Sequence, residues 1–150
     1  MANSDAYPLI GITVGDPAGI GPEIVAKALA QNSTEIPVRP VVYSDRSVLE
    51  QTLSMLDMDL DLNLLTHPSE GRFVEGCLNF IDCKVIDKPV DFGKVSASGG
   101  QAGFIYLDRA IDDALSGAVV GLATAPLNKE SLQAARLSFI DHTAVLKFRA

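Results

Sequence analysis

A chain of 150 residues, 47% hydrophobic and 21% charged, suits one globular domain that buries roughly 70% of the surface its unfolded form exposes, which excludes a disordered chain. The formal net charge of -7 argues against a nucleic-acid groove or an anionic membrane surface as partner, because both recruit clustered Lys and Arg. A small molecule is the expected partner, and no nucleic acid or membrane is expected.

Residues 1 to 8 lack the basic start and apolar core of a signal peptide, and no apolar run approaches the ~20 residues that span a bilayer. A cytoplasmic location is therefore expected. "PLIGITV" (8 to 14) is short, apolar and β-branched, as a strand buried on both faces should be. The loop "GDPAGIGPE" (15 to 23) follows, and Pro22 then opens a helix carrying Ile24, Val25, Ala28 and Leu29 at helical spacing. "PVRPVVYSD" (37 to 45) reads as a second strand, and "SVLEQTLSML" (47 to 56) as a helix capped by Asp45 or Ser47. Strands are expected over 60 to 67 and 77 to 87, with His67 on the surface beside the turn that Pro68 begins. Cys77 and Cys83, six apart, match neither a zinc knuckle nor a redox pair and read as two buried free thiols.

The stretch 88 to 100 reads as loop. A helix is expected over 101 to 116, with Phe104, Leu107, Ile111, Ala114 and Leu115 in one stripe and Asp108, Arg109, Asp112 and Asp113 on the other side. "GAVVGLATAP" (117 to 126) should be a small-residue central strand, "LNKESLQAA" (127 to 135) a helix, and "HTAVLKFRA" (142 to 150) follows a helix-like pattern without a cap to end it. The alternation implies an α/β fold with a mostly parallel core sheet between helical layers.

The opening loop fails as a phosphate cradle. A Walker-type loop needs Lys and Ser or Thr after its last glycine, where this chain has Pro22 and Glu23. The dinucleotide fingerprint needs a third glycine at position 23. Two carboxylates, Asp16 and Glu23, would also repel an anion, so the glycines serve backbone geometry and the pair reads as loop architecture. Thr124, Asn128 and Lys129 follow a predicted strand end, the edge where open α/β sheets collect ligands, and Lys129 there is either an anion clamp, a base of lowered pKa or a solvated lysine. Asp141, His142 and Thr143 bring a carboxylate, an imidazole and a hydroxyl within three residues, a group that could move a proton near neutral pH or serve structure alone.

"ITVGDPAGIGPEIVAKAL" (12 to 29) and "ATAPLNKESLQAA" (123 to 135) resemble the amino-terminal signature and the central motif of the 4-hydroxythreonine-4-phosphate dehydrogenase family, part of pyridoxine biosynthesis. The resemblance implies a fold like the isocitrate and isopropylmalate dehydrogenases, with two α/β domains in each subunit. Residues 1 to 150 would then be a single α/β portion, about half of the family's chain, at the amino-terminal end. It further implies a homodimer, NAD or NADP as hydride acceptor, and a divalent metal, zinc or magnesium, with ligands expected beyond residue 150 and none within 1 to 150. The substrate would be phosphorylated and its oxidation could be followed by decarboxylation, although this portion alone should be inactive. On these positions the resemblance makes His142 and Thr143 substrate-binding and Lys129 catalytic, and leaves the cofactor-binding residues unknown.

The family writes Gly-His-Thr-Glu where this chain has Asp141, His142, Thr143 and Ala144. A carboxylate a few ångströms from a phosphate costs of order 1 to 4 kcal/mol, so the departure points to a related substrate, such as a phosphorylated four-carbon sugar acid, a non-phosphorylated one or a cyclic diol acid. Two other readings remain: a phosphate acyltransferase, and a truncated non-catalytic paralogue that binds a ligand or pairs with another subunit.

Overall fold

The computed structural model describes residues 6–31 and 37–150. Five strands, β1 (Leu9–Thr13), β2 (Arg39–Ser44), β3 (Asp61–Leu65), β4 (Cys77–Asp82) and β5 (Gly121–Thr124), form one sheet in the order β3-β4-β2-β1-β5, and every pairing is parallel. The helices are α1 (Gly21–Gln31), α2 (Arg46–Met55), α3 (Ala97–Leu115), α4 (Lys129–Ala134) and α5 (His142–Arg149).

The path β1-α1-β2 runs toward one edge of the sheet, whereas β4-α3-β5 runs toward the other. Right-handed crossovers in opposite directions put α1 and α3 on opposite faces, which makes the fold three-layered and α/β. Central β2 explains why an unbroken apolar run suits a parallel sheet: Val41, Val42 and Tyr43 have no exposed surface. They pack with Phe80, Leu78, Leu49, Ala102 and Tyr106 in the main core. A satellite cluster of Leu107, Ile111 and Val145, backed by Phe104 and Phe139, seats α5 on α3, and Arg149 adds ion pairs to Asp108 and Asp112.

Several expectations need correction. The small-residue segment expected as a central strand over 117 to 126 forms β5 only at Gly121–Thr124 and lies at the sheet's edge. The expected loop 88 to 100 ends early, because α3 begins at Ala97 with the Ser96 hydroxyl accepting from the Gly99 N–H (3.0 Å). Two glycines normally signal loop, but a Cβ at Gly100 would stand 2.0 Å from the Ser131 carbonyl oxygen, so close approach of α4 demands a glycine inside a helix. Asp113, expected on the solvent side, is buried and accepts a hydrogen bond from the Tyr43 hydroxyl (2.8 Å), while Leu115 of the expected apolar stripe is 64% exposed. Cys77 and Cys83 are free thiols, half-buried rather than buried.

Candidate active site

In an open parallel sheet, the crevice forms where neighbouring strands send their connections to opposite faces, outside the carboxyl ends of those strands. Here that condition is met at two boundaries, between β2 and β4 and between β1 and β5, and the opening motif leaves the second. The loops leaving it are residues 14 to 20, the opening motif, and residues 125 to 128.

The two loops are locked together. The Asp16 N–H donates to the Pro126 carbonyl (3.1 Å), and the Ala125 N–H donates to the Thr13 carbonyl (2.9 Å). Gly15 has φ +72°, and a Cβ there would lie 2.1 Å from the Pro126 carbonyl oxygen, so only glycine fits on both counts. The Asp16 carboxylate is buried and accepts from the Ala18 N–H (2.9 Å). Its Oδ1 also overlies the first turn of α3, where a Cβ on Gly99 would be only 2.8 Å away. The Asp16 carboxylate thus sits against the first turn of α3, where the positive end of the helix favours a negative charge. Glu23 lies in the first turn of α1 and pairs with Lys27 (2.6 Å) on the surface.

His142 is brought to this crevice. It is the first residue of α5, half-buried, and its Nε2 lies 3.0 Å from the Ala125 carbonyl oxygen. The preceding Asp141 is the α5 N-cap, its Oδ1 accepting from the Ala144 N–H (2.9 Å). That carboxylate is directed into the first turn of the helix, whose positive end offsets part of its charge. Thr143 is exposed on the first turn of α5. Lys129 begins α4 directly after Asn128, whose side-chain oxygen accepts from the Ser131 N–H (3.0 Å) as the helix cap. Lys129 is exposed and makes no ion pair among the described residues, and Thr124 is exposed at the end of β5.

The structure therefore joins His142 to the opening loop through Ala125 and places Lys129 four residues farther along that same connection. None of His142, Thr143 and Lys129 lines the cleft of about 390 Å³ between the ends of β3, β4 and α3, which Thr66, Lys84 and Arg109 border. Nor do they line the one of about 300 Å³ between Ile20, Met55 and Phe92. Among the described residues no three His, Cys, Asp or Glu side chains are grouped so as to hold a metal ion. His67 is on the surface, as expected, where its Nδ1 accepts from the Ser69 N–H (3.2 Å).

Sequence reasoning missed a buried carboxylate that organises the segment after β4. Asp45 stands at the N-cap of α2 but makes no cap bond. It is buried and accepts from the Val85 and Ile86 N–H groups (2.7 and 2.8 Å) and the Tyr106 hydroxyl (2.6 Å). An aspartate before a helix carries the signal of a cap, and nothing local separates that role from this one.

Residues 37–150 match the family model for the pyridoxal phosphate biosynthetic protein PdxA. The chain belongs to this family. It is 40% identical over 145 residues to the D-threonate 4-phosphate dehydrogenase of Cupriavidus necator, covering 97% of this chain and 44% of that protein. Among solved structures, a 4-hydroxythreonine-4-phosphate dehydrogenase from Burkholderia phymatum superposes with a TM-score of 0.89 at 37% identity, over 95% of this chain and 43% of that one. The corresponding enzyme of Klebsiella pneumoniae gives a TM-score of 0.89 at 37% identity, over 96% and 44%. The chain thus spans less than half the length of these PdxA relatives.

Proposed function

We propose that the protein oxidises a hydroxyl group of a phosphorylated four-carbon hydroxy acid of the D-threonate 4-phosphate type, with NAD or NADP taking the hydride. The observation that carries this reading is the joining of His142 to the opening loop, through Ala125, at a crevice where an open parallel sheet binds its ligand. The relatives' names supply the substrate class.

Two substrates are named among those relatives, and they differ at the carbon next to the carboxylate: 4-hydroxythreonine carries an ammonium there, threonate a hydroxyl. An ammonium calls for a carboxylate partner. Beside His142 the chain has Ala144, and Asp141 is engaged as a helix cap. This favours the hydroxy acid.

In the proposed reaction His142 and Thr143 hydrogen-bond the substrate, and Lys129 stabilises negative charge or orients the carboxylate or phosphate. Loss of hydride to the nicotinamide and of the hydroxyl proton leaves a ketone. Where that ketone is β to the carboxylate, the product can lose CO2. The described residues do not fit a metal centre, so no step is assigned to one. A homodimer built from two-domain subunits belongs to the same proposal.

The test is nicotinamide reduction by the natural polypeptide with D-threonate 4-phosphate, 4-hydroxythreonine 4-phosphate and unphosphorylated threonate in parallel. The expected order of kcat/KM places D-threonate 4-phosphate first, and His142→Ala should raise KM at least tenfold with the folding midpoint nearly unchanged. Equal use of the amino acid substrate, or kinetics indifferent to His142, would overturn the reading.

A further inference from the structure

Ala125 is fixed on three sides. Its N–H donates to Thr13, its methyl lies where a Cβ on Gly21 would approach to 3.0 Å, and its carbonyl oxygen lies 2.8 Å from where a Cβ on Gly15 would stand. The same carbonyl oxygen is 3.0 Å from His142 Nε2. A carbonyl can only accept, so Nε2 must carry a proton, and the neutral ring then holds its lone pair at Nδ1.

We propose that Gly15 is a positioning residue for His142: because it has no side chain, the Ala125 carbonyl reaches the ring, fixes the proton on Nε2 and presents a basic Nδ1 to the substrate. The proposal rests on the reading of His142 as substrate-binding and deepens it by naming the atom. A neutral ring so held accepts a hydrogen bond from a substrate hydroxyl, whereas the opposite tautomer would offer a donor at Nδ1. The motif that fails as a phosphate cradle thereby gains a role of its own, since its backbone, also bonded from Asp16 to Pro126, sets the protonated edge of the imidazole two segments away.

The chain has two histidines, so long-range proton-nitrogen NMR of histidine-labelled protein, taken where the rings are neutral, reads both tautomers. His142→Gln assigns the signals. His142 should show a protonated Nε2 and a bare Nδ1, and His67, whose Nδ1 accepts from Ser69, serves as an internal reference. In Gly15→Ala the His142 signals should shift toward a mixture of tautomers while those of His67 stay in place. Ala125→Gly, which loosens the same carbonyl without adding an atom, should give a smaller shift of the same kind.

A proton on Nδ1 of His142 in the unaltered protein overturns the proposal, and so does a folded Gly15→Ala whose His142 spectrum is unchanged. If Gly15→Ala does not fold, the unaltered protein and Ala125→Gly decide in the same way. The readout needs no turnover, so failure of the dehydrogenase assay would strike the substrate reading, and a wrong tautomer would strike this one alone.

Discussion

Asp45 shows how much one buried carboxylate can hold. Its two oxygens satisfy two backbone N–H groups of the segment after β4 and the hydroxyl of Tyr106. The same segment is tied down again by Gln51, which accepts from the Val90 N–H (3.0 Å) and donates to the Val90 carbonyl (2.8 Å). Asp45→Ala strands three donors, each costing about 1 to 3 kcal/mol when left unpaired. Together that is about 3 to 9 kcal/mol, and because Val85 and Ile86 are only half-buried the expected loss in urea unfolding lies at the lower end, about 3 to 5 kcal/mol, a large part of the roughly 5 to 15 kcal/mol such a domain has; Asp45→Asn, which keeps one acceptor oxygen, should lose less. A loss below about 1 kcal/mol for the alanine variant would contradict the assignment. The same carboxylate acts on Cys83, whose thiol is pushed up to about 12 by burial first and the Asp45 charge second. Burial raises Cys77 as well, from an ordinary 9.0. Thiolate is the reactive form, so Cys83 at pH 8 should carry roughly a thousandth of the usual thiolate fraction. A disulfide reagent should label Cys77 first, and equal rates would contradict the sheltering of Cys83.

Among the elements, α3 separates what a sequence displays from what it conceals. The alternation of strands and helices was legible because apolar periodicity and β-branched runs are local properties, and the run from Leu9 to Thr13 or from Arg39 to Ser44 carries them in full. The opening motif and the 123 to 135 stretch were also enough to place the chain in its family. Hidden were features fixed by contact between distant segments: the start of α3 inside an apparent loop, the edge position of β5, and the burial of Asp113. Gly100 makes the point measurable. Helix propensity alone says that Gly100→Ala should stabilise α3 by about 1 kcal/mol. The Ser131 carbonyl oxygen, 2.0 Å from the new Cβ, says that α4 must move away. Packing wins at that distance, and the variant should lose about 1 to 3 kcal/mol, seen as a lower thermal midpoint. A higher midpoint would mean that α4 yields without cost. The α5 cap is a gentler case. Asp141→Ala should cost about 1 kcal/mol and Asp141→Gly only a few tenths, so the glycine variant can report on substrate preference without unfolding the site.

At the scale of the whole molecule, two tyrosine–carboxylate bonds fasten the α3 layer to the sheet. Tyr43 on β2 donates to Asp113 near the end of α3, and Tyr106 on α3 donates to Asp45 just past the end of β2. Burial, followed by the hydrogen bond to the neighbouring carboxylate, raises the pKa of both phenols well above the ordinary 10.0. Each folded phenol therefore keeps its proton where its unfolded counterpart gives it up. A group whose folded pKa lies above the unfolded one contributes stability that is complete below the unfolded value and is lost as pH rises past it. Cys83, raised to about 12, starts the loss near pH 9, and from near pH 10 the two tyrosines each add a slope of about 1.4 kcal/mol per pH unit, about 2.7 for the pair. Denaturant midpoints measured from pH 8 to 12 should be nearly level at first and then fall, with tyrosinate absorbance, read in a Tyr7→Phe background so that only Tyr43 and Tyr106 report, rising together with unfolding rather than ahead of it. Tyr43→Phe should remove about a third of the alkaline slope, the rest belonging to Tyr106 and Cys83, even though it also leaves Asp113 without its donor and lowers stability at pH 8. Tyrosinate appearing in the Tyr7→Phe variant while it stays folded would show that these two phenols reach water, and that the bonds to Asp45 and Asp113 do not hold α3 against the sheet.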